Sequence, residues 1–251
     1  MLSEIIASVS IIPMLIYVLR KKAIIGSLAW IFFAFACLIK AIEFLYGKDY
    51  VNFFIFLLGT LFFVLMAKAI FARNSRTFLD VTAFSALACM IYFPFVFIQS
   101  FNSAIIETTA YLTASLGKLL GYSMNAYGRV VELNSSSVEI ILACTAIESM
   151  ALFTGATLGI NAERKRKLKA FLVSVPVIYF LNLFRNVFVV VSFAYLLFGE
   201  DSFYIAHHVI AKAFSFIALV AIAYVVFRTL PELTELIYSL KEEIVRGVKG
   251  D

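Results

Sequence analysis

Seven apolar runs, each near the length that crosses a bilayer, leave this chain few folds to choose from. They cover 4–19, 23–46, 50–72, 78–99, 138–161, 170–198 and 205–229. A helix needs roughly 20 apolar residues to cross the hydrocarbon. Lipid offers no partner to an unpaired backbone group, so such segments must be helical. Of the 251 residues, 63% are hydrophobic and 15% charged, against about 45–50% and about 25% in soluble domains. The expected class is therefore all-α: a polytopic transmembrane helical bundle of about seven spans.

The short connections set an orientation. Residues 73–77 contain Arg73 and Arg76, and 162–169 reads "AERKRKLK", five bases against one acid. The alternate connections hold few bases: Lys48 in 47–49, Lys118 and Arg129 in 100–137, none in 199–204. Basic loops stay in the cytoplasm, which predicts an N-terminus outside and a C-terminus inside a cell membrane. The first run lacks a basic leading segment, carries Glu4 and is followed by Arg20, Lys21 and Lys22. It reads as an uncleaved span instead of a signal peptide. The formal charge of +5 falls in these short clusters, the pattern of cytoplasmic loops, and sets nucleic acid aside as a partner.

One connection is long. Residues 100–137 form an extracytoplasmic loop that begins with an amphipathic helical pattern suited to the outer membrane surface. "RVVEL" and "SVEI" then flank the polar turn "NSSS", a hairpin pattern leading directly into the fifth run. The tail from Pro231 reads as a short interfacial helix. The chain thus divides into a four-span region 1–99, the loop 100–137, a three-span catalytic region 138–229 and a cytoplasmic tail 230–251.

Ionisable groups in the hydrocarbon are costly and point to function. Lys40 and Glu43, Lys68, and Asp80 lie near the ends of their runs, where they pair or reach the interface. The three cysteines, Cys37, Cys89 and Cys144, have no paired spacing, so neither a disulfide framework nor a metal site is expected, and no cofactor is called for. In the fifth run, Cys144, Glu148, Ala151, Gly155 and Gly159 recur at helical spacing, which predicts one helix face. In the sixth, Asn182, Arg185 and Asn186 make a polar stripe. Arginine stays charged on burial and needs a partner; Glu148 is the structural candidate, and the asparagines can orient the guanidinium. In the seventh, His207 and His208 open the run, with Lys212 and Ser215 continuing the His208 face. A thiol, an imidazole and a fixed cation on consecutive helices suggest acyl transfer by nucleophile, acid/base and charge stabiliser. A small-solute transporter lined by Arg185, Glu148 and Lys212 is the rival class, but no inverted repeat is visible.

"ILACTAIESMALF", "VPVIYFLNLFRNVFVV" and "AHHVIAK" together resemble the exosortase/archaeosortase family, most closely its archaeosortase members in archaea. The resemblance covers roughly 135–220. The family pattern is a cysteine in A-C-[ST]-[AG]-I, an arginine in N-x-x-R-N, and a downstream histidine or second arginine. The resemblance implies Cys144 as nucleophile, Arg185 as charge stabiliser, and His207, which follows Ala206, as acid/base with His208 as alternate. Glu148, Asn182, Asn186 and Lys212 are supporting residues. It further implies a sortase-like cysteine transpeptidase acting on the extracytoplasmic side. Its substrates would be exported proteins with a C-terminal signal helix of the Pro-Gly-Phe (PGF-CTERM) type. Cleavage would be coupled to attachment of a membrane lipid, the acyl acceptor; a hydrolytic intramembrane cysteine protease would use the same residues.

Overall fold

The computed structural model describes residues 2–249. Among them, six helical segments are long and apolar enough to cross a membrane: Leu2–Arg20, Ala23–Tyr46, Tyr50–Ala72, Arg76–Phe97, Arg164–Ala194 and Gly199–Thr229. The chain is a predominantly helical, multi-pass membrane protein, as its apolar runs require. It divides into two units, one of 2–90, 158–162 and 231–249, the other of 91–157 and 163–230.

The first unit contains α1 (Leu2–Val9), α2 (Ile11–Arg20), α3 (Ala23–Tyr46), α4 (Tyr50–Ala72) and the start of α5 (Arg76–Phe97). Asp49 caps α4 by accepting from the Asn52 amide at 3.1 Å, satisfying a donor that the helix start leaves free. Met14, Tyr17, Trp30, Met66, Ile70 and Phe78 form its buried core. The two polar aromatics keep partners there: Trp30 donates to Thr82 Oγ1 at 3.0 Å and Tyr17 to Asn74 Oδ1 at 2.7 Å. Lys40 pairs with Glu43 at 2.9 Å, as its spacing suggests. The tail forms the last helix of the chain, Pro231–Lys249. Its Leu236, Leu240 and Ile244, one turn apart, pack on this core, so its apolar stripe is covered by protein.

The second unit holds α6 (Gln99–Leu119), strands β1 (Asn125–Tyr127), β2 (Val130–Leu133) and β3 (Ser136–Glu139), and helices α7 (Ile147–Leu158) and α8 (Arg164–Ala194). After α8 come α9 (Ser202–Tyr204), a π turn (Ile205–Ile210) and α10 (Ala211–Thr229); the tail helix Pro231–Lys249 is α11. The amphipathic helix expected in the long connection is α6. Its buried stripe, Ile106, Thr109, Ala110, Thr113, Ala114 and Gly117, follows the helical repeat and meets α8, β1 and β2. The expected hairpin is β2–β3, with Leu133 opposite Ser136 and Asn134 in the left-handed region at φ 55°. β1 adds a third antiparallel strand that the sequence reading did not foresee. Val131, Leu133, Val138 and Ile140 alternate inward and are buried.

The fifth apolar run departs from expectation. Residues 138–161 do not form one span. The chain stays in strand β3 to Glu139, where the Ile140 amide still donates to Arg129 O at 2.8 Å. It then makes a single 3-10 turn, Leu142–Cys144, and passes through Ala146 at φ 57°. A left-handed residue cannot continue an α-helical ladder, so α7 starts only at Ile147 and has 12 residues. That is about 18 Å of helix, against about 30 Å of hydrocarbon. Cys144 and Glu148 consequently do not share a helix face.

Packing in this unit is close enough to test. A Cβ on Gly117 would meet Met124 Sδ in direct overlap and Cγ at 2.9 Å, and Met124 is fully buried. Gly117→Val is expected to destabilise the unit by about 1–3 kcal/mol through overpacking, read as a lower thermal midpoint of the purified protein; an unchanged midpoint would contradict this packing.

Candidate active site

Cys144 ends the 3-10 turn that joins the hairpin to α7. Its amide donates to Ile141 O at 2.8 Å, and the Thr145 amide to Leu142 O at 3.0 Å. The buried Thr145 hydroxyl donates to Leu142 O at 2.7 Å and accepts from the Ile147 amide at 3.4 Å. One side chain thus closes the turn and starts the helix. Ala146 follows in the left-handed region, at a cost of roughly 1–2 kcal/mol for a residue with a Cβ. It stands where the A-C-[ST]-[AG]-I pattern admits only alanine or glycine, and glycine is the residue that bears that backbone with least strain.

Two side chains of α8 hold this turn. Asn182 Nδ2 donates to the Cys144 carbonyl at 2.7 Å and Asn186 Nδ2 to the same oxygen at 3.0 Å. Both asparagines are buried, one turn apart on one face of α8. Asn186 Oδ1 accepts from Arg185 Nη1 at 3.4 Å. The polar stripe read from the sequence is therefore a clamp on main chain first and a support for the guanidinium second. The Cys144 side chain is 8% exposed and packs among Ile106, Ala110, Val187 and Val190.

The histidines occupy the π turn, a widened helix that often marks functional positions. The Ala211 amide bonds Ala206 O across five residues. This spacing sets His207, not His208, one turn before Lys212. His207 is half-buried and stacks parallel on Phe203, with ring centroids 5.4 Å apart at 6°. Its Nδ1 is buried without a hydrogen-bond partner. His208 is exposed, beside Tyr204 at 5.2 Å. The sequence pattern, assuming regular helix, assigns Lys212 to the His208 face; the π turn moves that register by one residue.

Between α7, α8 and α10 lies a cavity of about 250 Å³, bordered by Ala143, Ala146, Asn182, Arg185, Lys212 and Ser215. Arg185 also borders a second cavity of about 300 Å³ walled by Phe184, Phe188, Ile210, Ala211 and Phe214. The guanidinium thus borders two cavities, one of mixed lining that also holds Ile178, Leu181, Leu219 and Ile222, the other apolar. Glu148 lies apart from it. That carboxylate is exposed and accepts from the Tyr92 hydroxyl of α5 at 3.2 Å, so Tyr92 takes the place that Arg185 or a group on the seventh run was expected to fill. No local signal relates residues 56 positions apart.

The family description Transmembrane exosortase matches residues 6–225. The chain belongs to the transmembrane exosortase family. Archaeosortase A of Haloferax volcanii is 30% identical over 71% of this chain and 70% of its own length. Archaeosortase A of Natronomonas pharaonis is 27% identical over 62% of this chain, which spans 59% of that relative. No solved structure matches.

Two outcomes follow from the clamp and the strained alanine of this exosortase. Ala146→Gly is expected to retain the fold and stabilise it by roughly 1 kcal/mol, whereas Ala146→Val, β-branched at positive φ, is expected to unfold the turn; equal thermal midpoints would contradict the assigned backbone. Asn182→Ala and Asn186→Ala each leave one amide on the Cys144 carbonyl, at about 1 kcal/mol apiece. Their combination is expected to exceed the sum of the singles, because only then does the buried carbonyl lose both partners. Strict additivity in the double-mutant cycle would argue against a shared clamp.

Proposed function

We propose that this exosortase-family protein is a membrane-embedded cysteine transpeptidase. In this reading it cleaves a C-terminal sorting signal from exported proteins and joins the new C-terminus to a membrane lipid. The observation that carries the reading is the direct chain of contacts from the Cys144 carbonyl through Asn186 to Arg185. It ties the candidate nucleophile to the one arginine that borders the cavity. Family membership and the printed name of two relatives, Archaeosortase A, support the same class of processing.

In the proposed reaction the Cys144 thiolate attacks the carbonyl carbon at the signal, forming a C–S bond. Arg185 stabilises the charge that develops on the carbonyl oxygen. The tetrahedral adduct collapses, the peptide C–N bond breaks, and His207 gives the leaving amine a proton. The exported protein is then held as a thioester. His207 next takes a proton from the acceptor lipid's head group, whose freed nucleophile displaces the thiolate. Because the thiol packs in an apolar cluster, substrate entry must turn it towards the cavity that Ala143 and Ala146 border. His207 is favoured over His208 for the proton transfers because it is half-buried and stacked on Phe203, whereas His208 is exposed. The charge bias of the loops supports a site on the extracytoplasmic side and a substrate helix whose basic end lies inside, antiparallel to α8; 138–229 is the proposed catalytic region. A Pro-Gly-Phe signal is the expected substrate motif. Asn182, Asn186 and Lys212 support the site, and Glu148 is structural through Tyr92.

Mass spectrometry of a processed substrate's C-terminus tests transfer: a lipid adduct is expected, and a free carboxylate would replace transpeptidation by hydrolysis. Cys144→Ser is expected to abolish processing, because an unactivated hydroxyl is a much poorer nucleophile. Arg185→Lys should lower the rate on the order of 100-fold with folding intact, as for loss of an oxyanion donor. His207→Ala should lose activity while His208→Ala keeps most of it. Near wild-type turnover by the Arg185→Lys protein would return Arg185 to a structural role.

A further inference from the structure

Far from Arg185 along α8, and far from His207 along α10, the two helices enclose a further space. This cleft of about 440 Å³ is lined by Arg166, Lys169, Tyr224, Val225, Arg228 and Thr229. Three cations therefore converge where one helix begins and its neighbour ends. Arg166 has Glu163 near it, at 3.4 Å; Lys169 and Arg228 are exposed. From His207 to Arg228 the helix rises about 30 Å at about 1.5 Å per residue, the thickness of the hydrocarbon layer. The cleft therefore lies at the opposite membrane boundary from the histidines. Tyr224 and Val225, which line the cleft, are exposed, and so are Leu168 and Leu172, one turn apart in the same stretch of α8 as Lys169. This is apolar surface of the kind that meets acyl or isoprenoid chains.

We propose that this cleft binds an anionic membrane lipid, its phosphate seated among Arg166, Lys169 and Arg228 and its chains along Leu168, Leu172 and Tyr224. Guanidinium forks match phosphate oxygens, and an ammonium adds a point charge. Basic clusters at the end of a membrane helix attract anionic headgroups. The bound phosphate bridges the two helices that carry Arg185 and, through the π turn, His207. It holds their relative register from the far side of the membrane, so the lipid acts as a structural ligand of the enzyme, distinct from any lipid consumed at the cavity beside Arg185.

The test uses the full chain in nanodiscs of neutral phosphatidylcholine, with and without phosphatidylglycerol, and in neutral nanodiscs with inorganic phosphate. Native mass spectrometry counts the retained lipid and thermal unfolding reports its effect. The wild-type protein is expected to retain phosphatidylglycerol and to unfold at a higher temperature with it. Lys169→Gln/Arg228→Gln should bind it about 10-fold more weakly or worse and lose the shift. Lys21→Gln/Lys22→Gln, which removes the same charge elsewhere, should behave as wild type. Should the glutamine pair not fold, Lys169→Arg/Arg228→Lys keeps both charges and is expected to keep the lipid. Equal binding in neutral and anionic discs, or equal loss in the Lys21/Lys22 control, overturns the site. A shift reproduced by inorganic phosphate alone assigns the cleft to a free anion and overturns the lipid.

Discussion

Everything near the cavity depends on one carbonyl oxygen, that of Cys144, and the two asparagine amides that reach it from α8. A chain that leaves a β-hairpin, makes a single 3-10 turn and then starts a helix through a left-handed alanine has no regular ladder to hold it. Backbone groups left open in such a turn are expensive when buried. Asn182 and Asn186 satisfy this carbonyl with two donors at 2.7 and 3.0 Å. They also attach the turn to the longest helix of the unit. The same contact makes the position of Cys144 a property of α8 as much as of its own segment.

That coupling joins the polar groups of two segments, the Cys144 turn and α8, through shared hydrogen bonds. Arg185 sits between the two asparagines in sequence and bonds one of them, so moving the turn moves the guanidinium's surroundings. The π turn does the corresponding work on α10. An extra residue in one turn rotates His207 inward over Lys212 and leaves His208 outside. The parallel stack on Phe203 packs the imidazole, and its Nδ1 is buried without a hydrogen-bond partner. The Cys144 thiol itself is sheltered among Ile106, Val187 and Val190.

Much of the architecture was legible before any coordinates. Apolar length announced the membrane helices, because a span must satisfy its backbone internally over a fixed thickness. The polar turn "NSSS" between "RVVEL" and "SVEI" announced the hairpin. The order of thiol, arginine and histidine motifs announced the family. Hydropathy misread the fifth run because it records only that Ile140 to Leu158 are apolar. It does not record that 136–139 pair with a strand or that Ala146 takes a positive φ. A buried strand end, a turn packed in an apolar cluster and a short helix are as hydrophobic as a span.

Composition, run length and motif order thus determined that this is a helical multi-pass membrane protein of the exosortase family. Those are one-dimensional properties, set by transfer free energies and by the identities of side chains. Tertiary structure alone decided that Cys144 lies in a turn and not on a helix, and that Asn182 and Asn186 grip its carbonyl. It also gave Glu148 to Tyr92, 56 residues away in the chain, and turned His207 instead of His208 inward. Each of these rests on a backbone departure or a long-range hydrogen bond. Such features are stabilised by packing from elsewhere in the chain, and periodicity carries no record of them.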